Sequence, residues 1–190
     1  MLLMNTATES SRVERRLARW SLALGMLAWL GMANVVVTVL AALFGEHFAL
    51  LLPDDEGLTL MTAQDLSLTQ RLAVVAILST TQWCWFWIMF QVWLISRSCA
   101  RGEILAPRVV TLLRRFAGGL FAMGFCELMS FPLVSWLLHW DWNAVSMADW
   151  WAISLGSGMV ESFMAGLLMV IIATIFKLGL QMREDLELTV

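Results

Sequence analysis

Four polar side chains stand within long apolar stretches of this sequence, where they could carry chemistry that their neighbours cannot. Glu127 and Glu161 supply carboxylic acids, and Asn34 and Gln82 supply amides. A carboxylate at the centre of a bilayer costs about 2.5–3.5 kcal/mol, so it is rarely left facing lipid. We therefore expect both acids to point toward a shared interior, where they could bind an ion, a proton or a small molecule.

The depths of these four residues agree. Counted at about 1.5 Å per helical residue from the cytoplasmic end of each stretch, they lie roughly 17–22 Å into the membrane. One polar side chain from each stretch thus reaches the same layer, and three interpretations are open. The layer is a set of hydrogen bonds that orients the helices, a site for a ligand, ion or proton, or a surface that pairs with another membrane subunit.

Two tryptophans in the second stretch form a further candidate site. Trp83 and Trp87 are four residues apart, so they share one face of a helix. They either pack against lipid and other helices or form an aromatic wall around a flat or lipid-like molecule. The sequence leaves both interpretations open.

Other kinds of chemistry lack a supporting pattern. His47 and His139 both fall near the outer boundary without a close ligand spacing, and the three cysteines form neither a disulfide framework nor a zinc motif. The sequence has no phosphate-binding loop and no nucleophile elbow. We therefore predict no catalytic residue, no metal and no cofactor, and a protein that is not an enzyme.

The composition indicates where these side chains are placed. Apolar residues make up 60% of the 190 residues, charged residues make up only 14%, and the mean hydropathy is +0.77. A soluble domain has about 45–50% apolar and about 25% charged residues. The imbalance excludes a disordered chain, a nucleic-acid-binding protein and almost every soluble enzyme fold, and it predicts a polytopic membrane protein.

Hydropathy divides the chain into four apolar stretches of about 25 residues, each long enough to cross a bilayer core of about 30 Å as a helix. The predicted spans are 20–44, 72–95, 116–138 and 150–176. Backbone amides in lipid must be satisfied within their own segment, so each span is a helix. The first stretch exceeds a signal-peptide core and is expected to remain as a span. The predicted fold class is all-α, a polytopic integral membrane protein built as a four-helix transmembrane bundle.

The distribution of positive charge predicts the orientation. All but one of the twelve lysines and arginines lie in the N-terminal segment 1–19, the loop 96–115 or the tail 177–190. The acidic loop 45–71 and the short loop 139–149 lie on the other side of the membrane. The positive-inside rule places the basic side in the cytoplasm, so both termini of a multi-pass membrane protein are predicted to be cytoplasmic.

The basic loop 96–115 has an internal organisation of its own. Gly102 is placed to end the second helix, and Pro107 is placed to begin the next one. Apolar residues alternate with arginines from Arg108 to Arg115, which predicts an amphipathic helix that runs into the third span without a break. The tail is predicted to continue the fourth helix and to end on an acidic segment.

We predict that the basic loop and the acidic tail contact each other and form the surface for a partner. The basic side chains are Arg101, Arg108, Arg114 and Arg115. The acidic side chains are Glu184, Asp185 and Glu187. Exposed ion pairs contribute only about 0–1 kcal/mol each, so these pairs would set registration and would not hold the helices together. The alternative is that the arginines face anionic lipid headgroups.

Two passages carry a resemblance to a known family: the loop sequence ARGEILAPRVVTLLRR and the final sequence IFKLGLQMREDLELTV. With these motifs and the spacing of its spans, the chain resembles a bacterial family of small four-span membrane proteins, domain-of-unknown-function family 2975, over nearly its whole length. That family has no established activity. Its members are often encoded beside small helix-turn-helix regulators, so the resemblance implies a signalling or immunity-like role at the membrane.

The resulting prediction is a small non-enzymatic protein that acts as an accessory or regulatory subunit, or as a signalling partner, at the inner membrane. The alternative is binding or transport of a small molecule, ion or proton through the polar layer of Glu127 and Glu161. The expected partners are membrane lipid and another protein, either a membrane subunit or a cytoplasmic regulator. A second copy of the chain is a further candidate partner, and direct contact with nucleic acid is not expected.

Overall fold

The computed structural model describes residues 2–44, 49–54, 57–62, 66–103, 106–138 and 158–188. Four helices account for most of them: α1 (Leu2–Phe44), α2 (Leu68–Ala100), α3 (Pro107–Leu137) and α4 (Met159–Leu188). Each helix contains an apolar stretch long enough to cross a membrane. The predicted all-α fold with four spans is therefore confirmed.

The helices extend beyond the predicted spans at several ends. The apolar stretches within them are Ala18–Phe44, Leu68–Ala100, Pro107–Val134 and Met159–Leu186. At the end of α4 the residues beyond the predicted boundary are mostly good helix formers, such as Leu, Gln, Met, Arg and Glu, so the helix continues past it. The predicted loop 139–149 and the predicted start of the fourth span at Trp150 lie outside the described residues.

A short β-hairpin lies between α1 and α2, inside the predicted acidic loop. Strands β1 (Ala49–Asp54) and β2 (Gly57–Thr62) pair antiparallel, with Ala49 opposite Thr62 and Asp54 opposite Gly57. Leucine-rich segments flank a Pro-Asp-Asp-Glu-Gly run, and turn-forming residues between two apolar runs are a hairpin signal. The hairpin therefore adds local structure to a segment whose acidity alone predicted only a loop.

The turn between α2 and α3 is set by two residues with restricted roles. Gly102 has a φ of +77°, and its amide donates to the carbonyl of Cys99 at 3.0 Å. The amide of Glu103 donates to the carbonyl of Ser98 at 3.1 Å, which completes a Schellman motif. Pro107 is the first residue of α3, where its missing N–H leaves no helical bond unmade. Both residues have the roles that the sequence predicts.

The first turns of α3 form the predicted amphipathic helix. Val109 and Leu113 are buried and pack with Ala173 of α4, whereas Arg108 and Arg114 are exposed. The helix continues from these turns into the apolar stretch without interruption. The arginines are thus carried on the outer side of a helix whose other side anchors it to α4.

The helices pack in chain order. α1 contacts α2, α2 contacts α3 and α3 contacts α4, and among the described residues no other pair of helices is in contact. Between α1 and α2, the hydroxyl of Ser96 donates to the carbonyl of Ser21. α2 and α3 are therefore the inner helices, and α1 and α4 each pack through one side only.

Reciprocal contacts of glycine with phenylalanine fix the register of α3 against α4. Phe163 of α4 lies over Gly124 of α3, and Phe121 of α3 lies over Gly166 of α4. A Cβ on either glycine would come within 3.2–3.3 Å of the facing ring, and the two rings are 6.0 Å apart. Small residues at a helix contact let the backbones approach closely, which favours helix association in lipid.

Oxidation tests the packing of α2 against α3. The Sγ atoms of Cys84 in α2 and Cys126 in α3 are 3.9 Å apart, whereas Cys99 lies at the far end of α2. A membrane-permeant oxidant should couple Cys84 to Cys126 within one chain and leave Cys99 as the single thiol that maleimide labels, as measured by mass spectrometry. In Cys84→Ser, both remaining thiols should stay reactive. Labelling of all three thiols after oxidation of the unmodified chain would contradict this packing.

Candidate functional site

Glu127 is the one predicted acid that the structure places against another helix. It lies in α3 and is partly buried, and its Oε2 accepts a hydrogen bond from the hydroxyl of Ser162 in α4 at 3.3 Å. The same hydroxyl lies 3.0 Å from the carbonyl oxygen of Gly158. Since a serine hydroxyl has a single hydrogen, it donates fully to only one of these two acceptors at a time. This carboxylate–hydroxyl pair is the centre of the candidate site.

Gly158 lies beside the carboxylate at the start of α4. Its φ is +88°, a conformation that residues with a side chain rarely adopt. A Cβ at this position would lie 3.9 Å from Oε1 of Glu127. The backbone at Gly158 therefore turns into α4 directly beside the acid, and the two helices meet there.

Glu161 does not reach the predicted interior. It lies in the first turn of α4 and is exposed, whereas Ser162 is only 5% exposed. Successive residues of an α-helix point about 100° apart, and it is Ser162, not Glu161, whose side chain forms a hydrogen bond to α3. The structure thus replaces the predicted pair of acids with an acid and a hydroxyl, and Ser162 is a site residue that the sequence reasoning missed.

The two amides of the predicted polar layer do not join Glu127. Asn34 lies on an exposed part of α1 and Gln82 is partly buried in α2. Because α1 contacts neither α3 nor α4 within the described residues, Asn34 cannot share a layer with Glu127 or Glu161. The predicted convergence of one polar side chain from each span is therefore not found, since it requires helices packed around a common centre.

Trp83 and Trp87 line a groove between α2 and α3. Their side chains are 53% and 47% exposed. Together with residues of α3 they border a cavity of about 450 Å³, whose other lining residues are Cys84, Arg115, Gly118, Gly119 and Ala122. Both tryptophans therefore face a space in which a ligand could lie, in the arrangement that the aromatic-wall interpretation requires.

The basic loop and the acidic tail are not brought together. Arg101, Arg108, Arg114 and Arg115 are exposed, as are Glu184 and Asp185, while the side chain of Glu187 lies outside the described part. No ion pair joins these arginines to an acidic side chain in the part of the chain that the structure describes. The reason is geometric. The first turns of α3 pack beside residues 169–176 of α4, and the acids lie roughly 12 Å further along that helix.

A buried amide in α2 is a second residue that the sequence reasoning missed. Gln91 is 1% exposed, and its Oε1 has no hydrogen-bond partner among the described residues. The signal was available, because Gln91 and Gln82 are both polar residues inside the second apolar stretch. A buried carbonyl without a partner lowers the stability of the fold by about 1–3 kcal/mol. The hydrogen bonding of Gln91 therefore does not explain why an amide is buried at this position.

Metal-binding side chains are not clustered in the part of the chain that the structure describes. Among the described residues, no group of three or more His, Cys, Asp or Glu side chains is close enough to hold a metal ion. Cys84 and Cys126 lie near Glu127 but on a different side of α3, facing α2. The chemistry that this site offers is therefore hydrogen bonding and charge, supplied by one carboxylate and one hydroxyl.

Removing the Ser162 hydroxyl should lower stability by a measurable amount. In Ser162→Ala, Glu127 loses its hydrogen-bond donor from α4, which should reduce the free energy of unfolding by about 0.5–1.5 kcal/mol. Unfolding in mixed detergent micelles, followed by circular dichroism, measures this loss. Ser79→Ala is the matched control, because the Ser79 hydroxyl bonds only to the Ala76 carbonyl of its own helix at 2.9 Å. Equal stabilities of the two variants would show that the bond between Ser162 and Glu127 does not stabilise the protein.

Substitutions of Gln91 should separate its volume from its polarity. Gln91→Leu removes the buried carbonyl and keeps most of the side-chain volume, so its stability should equal or exceed that of the unmodified chain. Gln91→Ala leaves a cavity and should be destabilised by about 2–4 kcal/mol. The midpoint of thermal unfolding in detergent measures both. A lower midpoint for Gln91→Leu would indicate a hydrogen bond that this geometry does not contain.

Comparison with known proteins relates the site to a family. Residues 62–190 match the family described as "Protein of unknown function (DUF2975)". The matched region starts at the end of β2 and covers α2, α3 and α4, so α1 lies outside it and the match is shorter than the nearly whole-chain resemblance that the motifs suggested. No curated protein and no solved structure matches the chain. Since the matched region is more than half of the chain, the protein belongs to this family of unknown function.

Proposed function

We propose that this protein is a non-enzymatic accessory subunit of the bacterial inner membrane that acts through another membrane protein. The orientation in this proposal has both termini in the cytoplasm and rests on the distribution of lysine and arginine. The observation that carries the proposal is the position of Asn34 and Glu161 on surfaces of α1 and α4 that no other described helix covers.

Asn34 is the sharper of the two observations. α1 packs on α2 through a stripe of buried residues, namely Ser21, Ala28, Met32 and Val35. Asn34 lies beside that stripe and is exposed, with large apolar neighbours such as Leu30 and Val37 also exposed. An amide that faces hydrocarbon has no water to bond to. A polar side chain of a partner helix would satisfy it and contribute about 0.6–2 kcal/mol to association.

Glu161 supports the same conclusion on the other outer helix. It is exposed in the first turn of α4, and α4 contacts only α3 among the described helices. Ionisable side chains within spans are usually covered by protein or by a water-filled cavity. A partner that covers one or both outer helices would shield Glu161 and Asn34 from lipid.

The basic side of the protein offers a second contact surface in this proposal. The exposed arginines of the loop 96–115 lie apart from the exposed acids at the end of α4, so the arginines are open to a partner within the described part of the chain. Separated patches of opposite sign steer the approach of a complementary surface. A cytoplasmic regulator that binds here would link the membrane subunit to signalling.

The alternative function is binding or transport of a small molecule, ion or proton at Glu127. The observation that favours it is the carboxylate–hydroxyl pair of Glu127 and Ser162 between two spans. Intramembrane acids on the pathways of ions and protons are commonly placed between helices in this way. In this alternative Glu127→Gln abolishes binding, whereas an accessory subunit keeps its partner.

Native mass spectrometry of protein extracted in mild detergent tests the accessory role. The unmodified chain should leave the membrane in a complex heavier than its monomer of 21.4 kDa. Asn34→Leu should reduce the fraction in that complex about threefold or more, because the interhelical hydrogen bond is lost. Val36→Leu is the matched control, since Val36 is an exposed residue of the same helix on the other side of the buried stripe.

Two results would overturn the proposal. One is release of the unmodified chain only as a monomer. The other is equal loss of the complex in Asn34→Leu and Val36→Leu, which would mean that the amide has no specific role.

A further inference from the structure

We propose that the groove between α2 and α3 binds one anionic phospholipid, with Arg115 on its phosphate and Trp83 and Trp87 along its acyl chain. This inference is independent of the accessory role, because it concerns the inner helices and not the uncovered surfaces of α1 and α4. It assigns a ligand class and a binding site to this groove, whose one charged lining residue, Arg115, has no other described partner.

The walls of the groove differ in bulk. On the α2 side two indole rings stand four residues apart, and on the α3 side the wall consists of Gly118, Gly119 and Ala122. The two glycines have different roles. A Cβ on Gly119 would lie 2.9 Å from Cγ1 of Ile88, so Gly119 permits the helix contact that closes the floor, whereas a Cβ on Gly118 would meet nothing within 4 Å. Gly118 therefore borders open space and not a neighbour.

The length of the groove fits part of an extended acyl chain. From Arg115 to Ala122 the groove runs seven residues along α3, or about 10 Å. A hydrocarbon chain can lie along that length between the indole rings on the α2 side and the small residues Gly118, Gly119 and Ala122 on the α3 side.

Arg115 selects the sign of the headgroup. It is the one charged residue among those that line the groove. It is exposed and forms no ion pair or hydrogen bond within the described residues. It lies eight residues into α3, about 12 Å from the helix start, at the end of the protein that carries the basic loop. An arginine between helices at that level is placed to bind a lipid phosphate, to which its guanidinium can donate two hydrogen bonds.

The indoles complete the match to a phospholipid. Tryptophan places a broad apolar face against lipid. Trp83 also packs edge-to-face with Phe86 at a ring separation of 5.7 Å, which supports one side of its ring. The groove thus offers a positive charge at one end and apolar surface along the rest, in the order in which a phospholipid presents its phosphate and chain.

The test uses the full chain reconstituted with equal parts of palmitoyl-oleoyl phosphatidylglycerol and phosphatidylcholine, released and analysed by native mass spectrometry. The unmodified chain should retain one phosphatidylglycerol in preference to phosphatidylcholine. Arg115→Gln should lower that retention roughly fivefold, the factor that one arginine contributes near an anionic surface. Gly118→Leu should abolish it, because the leucine side chain fills the open groove.

Two variants serve as matched controls. Arg114→Gln removes the same charge one residue away, from a side chain that does not line the groove. Gly179→Leu makes the same substitution at another helical glycine whose Cβ would meet nothing within 4 Å. Both should retain phosphatidylglycerol as the unmodified chain does. Circular dichroism checks that each variant is folded, and Gly118→Ala, which adds a single methyl group, should lower retention if Gly118→Leu fails to fold.

Several outcomes would overturn the proposal. Equal retention of the two lipids would show that the charge of the headgroup does not determine binding. Equal effects of Arg114→Gln and Arg115→Gln would indicate a general attraction of arginines to headgroups and not a specific site. Retention of lipid by folded Gly118→Leu would place the lipid elsewhere. Displacement of the bound species by excess inorganic phosphate would identify a free anion as the ligand, and a protein mass that is lost on substitution of Gly118 would identify a protein partner.

Discussion

A bilayer interior offers no hydrogen-bond partner to a backbone amide, and the architecture of this protein follows from that constraint. Each apolar stretch must satisfy its own peptide groups, so each forms a helix. Among the described residues, the exceptions to helix are turns and the hairpin between α1 and α2. Where the chain must reverse between α2 and α3, Gly102 and Pro107 end one helix and begin the next with their backbone groups either paired or absent.

The same solvent removes the usual force that closes a helical bundle. In water, apolar faces drive helices together around a core, but lipid solvates those faces as well as another helix does. Association then depends on close contacts at small residues and on a few polar bonds. The contacts of Phe163 with Gly124 and of Phe121 with Gly166 join α3 to α4, and the bond from Ser96 to Ser21 joins α1 to α2. These pairwise contacts produce helices packed in chain order.

Because the helices pack in chain order, the polar residues of the four spans do not share one site. Around a common centre, four polar side chains at one depth would form one site. In this arrangement the neighbouring helix decides the role of each polar residue. Glu127 accepts a hydrogen bond from Ser162, and the buried carbonyl of Gln91 has no partner among the described residues. Asn34 and Glu161 lie on surfaces that no other described helix covers. The grooves beside the inner helices take the place of an interior, and Arg115 marks one of them as a site for an anionic lipid in our proposal.

The sequence by itself determined the properties that depend on the composition of one segment or on a local turn signal. Hydropathy summed over about twenty residues identified the four spans, and the glycine and proline signals located the turn between α2 and α3. The clustering of arginine predicted the amphipathic start of α3, and the motifs of that loop and of the tail indicated the family. Each of these depends on composition within one segment, and the neighbours of that segment do not alter it.

Only the tertiary structure decided which side of each helix meets protein. A span that faces lipid on one side and a helix on the other is apolar all round, so its periodicity does not show which side is covered. For that reason the sequence could not distinguish Ser162 from Glu161 as the partner of Glu127, nor place Asn34 outside the helix contacts. It also could not show that α4 carries its acids past the arginines of α3, because that separation depends on the register of two helices distant in the chain.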